Sequence, residues 1–433
     1  MSRPRARSRS DSINNILSQV PLHSPTDAPS TITKSSNSSS GSPGKKLSKK
    51  VKKEDIWAIP AAGEMPASFG FWKDLTTGRW MLIPASSGIM LAISFALYLN
   101  YELIQTYVAP VLPATLQIPQ SNPFAPLWFI SYPLPAPHSQ PGDPRFGKGL
   151  LDVVFLLHHI VTFSFIRQAI TLYILRPLAK KLGIRGSKIL RFQEQAYSAM
   201  YYGSMGFFGL YLMTDLPTWY FNTEEFWIGY PHWEMKATIK YYYLLQFSYW
   251  LQQMFILVLK IEKPRKDYAE LVMHHCVTLW LIGWSYAINL TMIGNAVFVT
   301  MDISDVFLAL AKCVNYSEGP KSSGIASTIL FGWFVIVWTY LRHYLNFIIL
   351  WSVWFEFDLI PEYAKQWNPP AGVWMVHWMK YQIFIPIMLI QLLNLFWYFL
   401  IWRVLIRSIR GTRVQDERSD DEDEDEKVIK KTQ

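Results

Sequence analysis

The chain has 433 residues, 51% hydrophobic and 16% aromatic, with a formal net charge of +9. That is more apolar surface than one soluble core of this size would bury, which excludes an ordinary soluble domain and leaves a membrane protein with polar ends. The basic excess sits in a tail and in short connections, where membrane topology alone puts it, and no nucleic acid is expected among the partners.

Residues 1–53 are rich in Ser and end in the basic run Lys45, Lys46, Lys49, Lys50, Lys52 and Lys53. Such a composition cannot bury a core, so the segment reads as a disordered basic cytosolic tail. It has no apolar h-region of signal-peptide length. Residues 54–110 read as an amphipathic segment and a first transmembrane helix, and 111–190 as a lumenal loop, a second span and a basic cytosolic loop. Residues 191–408 form the main membrane region, and 409–433 an acidic cytosolic tail whose run Asp420 to Glu426 repels itself.

A span needs about 20 mostly apolar residues. Eight stretches qualify, roughly 81–108, 150–175, 194–214, 239–260, 270–289, 293–311, 324–355 and 381–406, the seventh being long enough to tilt or kink. The fold class is therefore all-α, a polytopic transmembrane bundle of about eight spans. Lys and Arg crowd 176–191 and 260–266, which read as cytosolic, whereas 109–149, 215–240 and 356–380 carry two basic residues each and read as lumenal. Both tails then face the cytosol. The ending Lys430-Lys431-Thr432-Gln433 resembles a retrieval signal to the endoplasmic reticulum, and Cys276 and Cys313 fall near the cytosolic face, where a structural disulfide is not expected. Ser10, Ser12 and Ser419 sit in patterns that look like kinase sites, and the sequon Asn289-Leu290-Thr291 lies too close to the membrane to be an expected glycan site.

Ionisable groups inside a span cost about 2.5–3.5 kcal/mol each on insertion scales, so those that persist serve a site or a buried pair. The fifth span opens Met273-His274-His275-Cys276-Val277-Thr278, and the sixth contains Met301-Asp302-Ile303-Ser304-Asp305, leading to Lys312, Asn315 and Tyr316. On helices, Asp302 and Asp305 share a face with Lys312 further along it. His274 shares a face with Thr278, and His275 points about a quarter-turn away. A short turn near Asn289 to Met292 makes the two spans an antiparallel hairpin, bringing imidazoles and carboxylates to similar depth. A carboxylate bonded to one ring nitrogen fixes the tautomer and leaves the other nitrogen to attack or to take a proton. The catalytic candidates are His274, His275, Asp302 and Asp305. Arg342-His343 lies in the seventh span with Asn346 one turn beyond, and Arg342 is expected to neutralise Asp302 or Asp305. Thr278, Ser304, Lys312, Asn315, Arg342, His343 and Asn346 make up the supporting set. A second pair, His158-His159, falls nearer the lumenal side and is expected to serve packing. Nine histidines scattered as two pairs and five singles, with no H-x-x-H-H box, do not fill a di-iron site, so no metal is expected.

The stretch HHCVTLWLIGWSYAINLTMIGNAVFVTMDISDVFLALAKCVNY, from His274 to Tyr316, resembles the Lag motif of ceramide synthases: a His pair, a spaced Asp-x-x-Ser-Asp and a closing Lys-x-x-Asn-Tyr. The likeness extends over the TLC-type region of about 191–408, including Tyr340-Leu341-Arg342-His343 and Asn346. It also takes in the basic and acidic tails of fungal members. Met301 stands where many animal members have a second His, and the homeobox-like insert of many animal enzymes is absent, which fits the fungal type.

The resemblance implies N-acylation of a sphingoid base by fatty acyl-CoA, in a helical core enclosing an acyl/CoA tunnel. It implies acyl-CoA as co-substrate with no permanently bound cofactor. Its phosphates would meet Lys and Arg from 185–191 or 260–266. It further implies a homodimer or a heterodimer with a paralogous synthase, a small single-span accessory subunit, membrane lipids as surroundings, and the endoplasmic reticulum membrane as location. The rival classes are a non-enzymatic lipid-sensing or protein-translocation factor on the same fold, and a transporter, which would need an internal repeat that the sequence does not display.

Overall fold

The computed structural model describes residues 66–113, 118–136, 138–139, 142–186, 188–261, 266–318 and 325–410. The basic and acidic tail runs, the kinase-like patterns, the dilysine ending and most of the 260–266 connection fall outside these residues.

Helices account for most of the described chain. A short helix, α1 (Phe71–Thr76), precedes α2 (Pro84–Leu103), which begins on a proline whose missing N–H costs nothing in the first turn. Helix α3 (Leu151–Ala169) runs through a π-helical stretch, Ile170–Leu175, into α4 (Arg176–Lys181). Then follow α5 (Lys188–Thr214), α6 (Ala237–Val258), α7 (Tyr268–Ala287) and α8 (Thr291–Ser317). Helix α9 (Ile325–Trp338) passes through a seven-residue π stretch, Thr339–Leu345, into α10 (Asn346–Phe355), and α11 (Met379–Ile409) closes the bundle.

The eight apolar stretches all lie largely within these helices. Among the described residues, four segments are long and apolar enough to cross a bilayer: Pro84–Val111, Leu151–Lys181, Ile325–Phe355 and Met379–Arg407. Helices α5 to α8 are not in that set, because they carry the tyrosines, glutamines, histidines and acids of the interior. The seventh stretch contains a π turn that holds Arg342 and His343. Wider i→i+5 turns of this kind are frequent at functional sites.

Glycines set the closest helix approach. A Cβ on Gly206 of α5 would come within 3.0 Å of Ile303 and 3.1 Å of the Asp302 side chain on α8, and one on Gly209 would overlap the Tyr242 hydroxyl of α6. Small residues at such crossings let backbones pack without lipid between them.

One feature had no sequence signal. Strand β1 (Arg145–Phe146) pairs antiparallel with β2 (Met235–Lys236), pinning the long 109–149 connection to the start of α6. Beneath this ribbon Lys240, fully buried, pairs with Asp152 at 2.8 Å and donates to the Ser131 and Gly147 carbonyls at 2.8 and 2.6 Å. Tyr286 of α7 donates to the other Asp152 oxygen at 2.8 Å. Three helices and a loop are thus tied at one ion pair. Lys240→Met leaves Asp152 buried without its cation, and the expected loss is about 3–5 kcal/mol. It should appear as a lower thermal-unfolding midpoint in detergent, with much of it regained when Asp152→Leu is added.

Candidate active site

His274 and His275 occupy the second turn of α7, their ring centroids 5.7 Å apart. Trp250 of α6 meets both edge-on, at 5.6 and 5.4 Å, and Trp397 of α11 meets His274 from the other side at 5.4 Å. Nδ1 of His275 bonds the Leu271 carbonyl at 2.9 Å, one helical turn back. Nδ1 of His274 is buried without a hydrogen-bond partner.

Two cavities meet at this point. One, of about 70 Å³, runs from His274 toward the α7–α8 turn between walls such as Thr278, Ile282, Val297, Phe298, Ile383 and Ile387. The other, of about 200 Å³, opens on the opposite side and is lined by Arg167, Glu194, Gln253, Asp267, His275 and Lys312 among others. Trp250, His274, Asp305 and Arg342 line both. The imidazole of His274 therefore stands at a seam between a polar and an apolar chamber.

The two acids part company here. Asp305 pairs with Arg342 at 2.7 Å and faces both chambers. Asp302 is fully buried, lines neither chamber and hydrogen-bonds to neither histidine, contrary to its expected place beside the rings. Its Oδ2 accepts from Gln246 at 2.5 Å, and Gln246 in turn accepts from Tyr201 at 2.8 Å and donates to Tyr242 at 3.2 Å. The reason is angular: residues three apart on a helix differ by about 60° in direction, enough to turn one carboxylate into the α5–α6 interface.

Arg342 is held from every side. Its Nε donates to Ser304 at 2.6 Å, its guanidinium nitrogens to Asn394 at 3.1 Å and the Met301 carbonyl at 3.0 Å, and its plane lies 4.1 Å from the Trp338 ring centre. Ser304 thus acts through Arg342. His343 and Asn346 sit away from both chambers, each bonded to Gln391 of α11, at 2.8 and 2.6 Å. They join α10 to α11 instead of meeting the imidazoles. Thr278 lines the apolar chamber and Lys312 the polar one, while Asn315 lines neither. The pair His158-His159 lies among aromatic rings, with His158 4.5 Å from Trp128 and 3.0 Å from the Ser94 hydroxyl, and His159 stacked on Phe155 at 3.8 Å.

Several residues escaped the sequence reading. Arg167 of α3 and Asp267 before α7 line the polar chamber, and Gln246, Trp250 and Trp397 frame the acids and imidazoles. A glutamine inside an apolar helix, costly without a partner, was the available signal for Gln246. For the anion-binding cations the nearest expected residue, Arg191, pairs with Glu194 at 3.0 Å, and Arg185 and Lys188 are exposed.

The comparisons place this architecture. The family model described as the TLC domain matches residues 191–403, which hold the whole lining of the apolar chamber and all but Arg167 of the polar one. A sphingosine N-acyltransferase of Schizosaccharomyces pombe is 42% identical over 69% of this chain and 75% of its own length. A ceramide synthase of Saccharomyces cerevisiae is 38% identical over 71% and 72%, and one of Arabidopsis thaliana 33% identical over 55% and 76%. The fold class is that of a TLC-domain membrane protein. Within it, the chain belongs to the family of sphingosine N-acyltransferases, or ceramide synthases.

The two carboxylates have different surroundings, which gives them different expected responses to substitution. Asp305→Asn should lower acyl transfer by about 100-fold or more, as loss of a positioned charge in a reacting site does. Asp302→Asn, which keeps a hydrogen-bond partner for Gln246, should stay within about tenfold of wild type while lowering thermal stability. Ceramide formation and the unfolding midpoint, measured on both purified variants, check this division.

Proposed function

We propose that the chain N-acylates a sphingoid base, dihydrosphingosine or phytosphingosine, with a long or very-long-chain fatty acyl group from acyl-CoA, and that His274 is the residue the acyl group passes through. The observation that carries this reading is the seam: one imidazole borders an apolar chamber suited to a hydrocarbon and a polar chamber suited to a nucleotide thioester. An acyl-CoA laid across it puts its tail on one side of His274 and its pantetheine arm on the other.

The chemistry follows from the groups at that point. A nitrogen of His274 attacks the thioester carbonyl, the C–S bond breaks, and the CoA thiolate leaves with the proton that the ring gives up. The sphingoid amine then attacks the acyl-imidazole, forming the amide and returning the electron pair to the ring. His275, on the polar side, takes the amine proton and passes it to the departing His274 ring, so that both imidazoles end neutral. The Asp305–Arg342 pair positions the carbonyl region and keeps a fixed dipole beside the developing oxyanion. Arg167 and Lys312 are the cations on the polar chamber that face the CoA phosphates. A one-step transfer, with His274 acting only as general base, uses the same groups.

In the cell the same reading has helices α2, α3, α5 to α8, α9–α10 and α11 as eight spans, both tails in the cytosol, and the endoplasmic reticulum as location. The polar chamber then opens to cytosolic acyl-CoA. Assembly as a homodimer, or with a paralogous synthase and a small single-span subunit, belongs to this proposal.

His274→Ala should abolish ceramide formation in microsomes, a loss of at least about 1000-fold, while the protein still inserts and accumulates. Intact-mass analysis after incubation with acyl-CoA alone should show a single acyl adduct on the wild type and none on His274→Ala. An unmodified but fully active wild type would remove the covalent route and leave the one-step transfer.

A further inference from the structure

Two indoles flank the His274 ring, and they are held differently. The N–H of Trp250 is buried without a hydrogen-bond partner among the described residues. The N–H of Trp397, a residue 7% exposed, donates to Oδ2 of Asp267 at 3.2 Å. Asp267 is itself buried and borders the polar chamber together with Leu271, His274 and Trp397.

Asp267 stands immediately before α7, at the position where an aspartate ordinarily turns back to cap the first backbone N–H groups. Its side chain makes no such cap here. The Leu271 N–H donates to the Asp267 backbone carbonyl at 3.0 Å, and the carboxylate reaches across to α11 instead. A local bond has been given up for one between helices, and local rules are broken in this way mainly at functional sites.

Helical geometry says what the bond does. Asp267 and His274 are seven residues apart, so they lie within about 20° of each other on one face and about 10 Å apart along the axis. The Trp397 indole bridges that interval: its nitrogen is held at Asp267, and its ring meets the imidazole at 5.4 Å. Carboxylate and imidazole ride on one helix, so the indole cannot tilt away from the imidazole without breaking its own hydrogen bond.

Building on the acyl-transfer reading above, we infer that Asp267 is a positioning residue: by holding the Trp397 indole against His274, it directs the acyl group to the sphingoid amine in preference to water. Water adding to the activated acyl carbonyl releases a free fatty acid and leaves the imidazole as it was, whereas the amine forms the amide. The competition is the same whether the acyl group rests on His274 or passes directly. Asp267 has only to accept the indole N–H for this, and its charge is not required.

The test uses the purified full-length chain with dihydrosphingosine and either palmitoyl- or lignoceroyl-CoA, and measures ceramide, free fatty acid and released CoA in one reaction. Wild type should release CoA and form ceramide in nearly equal amounts. Asp267→Leu should raise the ratio of fatty acid to ceramide about tenfold or more, with the KM for acyl-CoA within about threefold of wild type. Trp397→Phe, which keeps a ring and loses the N–H, should raise the ratio likewise, and the double variant should go no further than the larger single effect. Asp267→Asn keeps an acceptor oxygen, and its ratio should stay within about threefold of wild type. Misfolding lowers both products alike, so the ratio reads the active molecules only. Should Asp267→Leu fail to accumulate, Trp397→Phe and Asp267→Asn carry the same expectations. Active Asp267→Leu and Trp397→Phe proteins with a wild-type ratio, Asp267→Asn as prone to hydrolysis as Asp267→Leu, or additive effects in the double variant overturn the role of Asp267 while leaving acyl transfer intact. A wild type that forms no ceramide from either thioester overturns the activity, and this role with it.

Discussion

A guanidinium buried in the middle of a helical bundle must be satisfied completely, and Arg342 is the group around which this one is arranged. Isolating such a charge in an apolar interior is prohibitive, and breaking a buried pair costs more than the pair contributes. The π turn at Thr339–Leu345 aims the side chain inward, and α8 and α11 supply its acceptors: Asp305, Ser304, the Met301 carbonyl and Asn394. With every acceptor fixed, the three helices have one mutual register. That register brings the seam between the chambers to His274.

The same demand explains why the two acids of the Lag-like motif have different surroundings. One carboxylate is spent on Arg342 and remains at the chambers. The other is turned against α5 and α6, where Gln246 and two tyrosines form the polar contacts and Gly206 allows the close approach. A motif that reads as one cluster in the chain is two devices in space: a charge pair bordering both chambers and a polar clasp between helices. Both must hold for the apolar chamber to keep its shape, because α8 forms walls of both chambers.

The helices and the interior position of His274 were legible, since apolar runs of span length and a costly imidazole within one are local properties of the chain. Arg342 was legible for the same reason, and its partner was one of the two acids expected. What was hidden depends on direction or on distant segments. The rotation that separates Asp302 from Asp305 is set by how α8 sits against its neighbours. The π turn has no compositional mark. Arg167 was passed over although it lies inside the second expected span, where a charge is costly, and it borders the polar chamber. His343 and Asn346 looked like site residues because they follow Arg342, but their hydrogen bonds go to Gln391, which lies in a different helix.

The placement of His274 between two tryptophans bears on the hardest requirement of the covalent route proposed for it. An acyl-imidazole is hydrolysed by water, and the polar chamber is where water enters. The indoles of Trp250 and Trp397 flank the ring edge-on at 5.6 and 5.4 Å, so the imidazole is covered on two sides by apolar surface. The apolar chamber covers a third. In that proposal the remaining approach, past His275 and Asp305, is the one the amine uses, and a sphingoid base brings its own hydrocarbon to fill it. Excluding water until that chain arrives favours transfer to nitrogen over hydrolysis without any moving lid, because the second substrate closes the opening it uses.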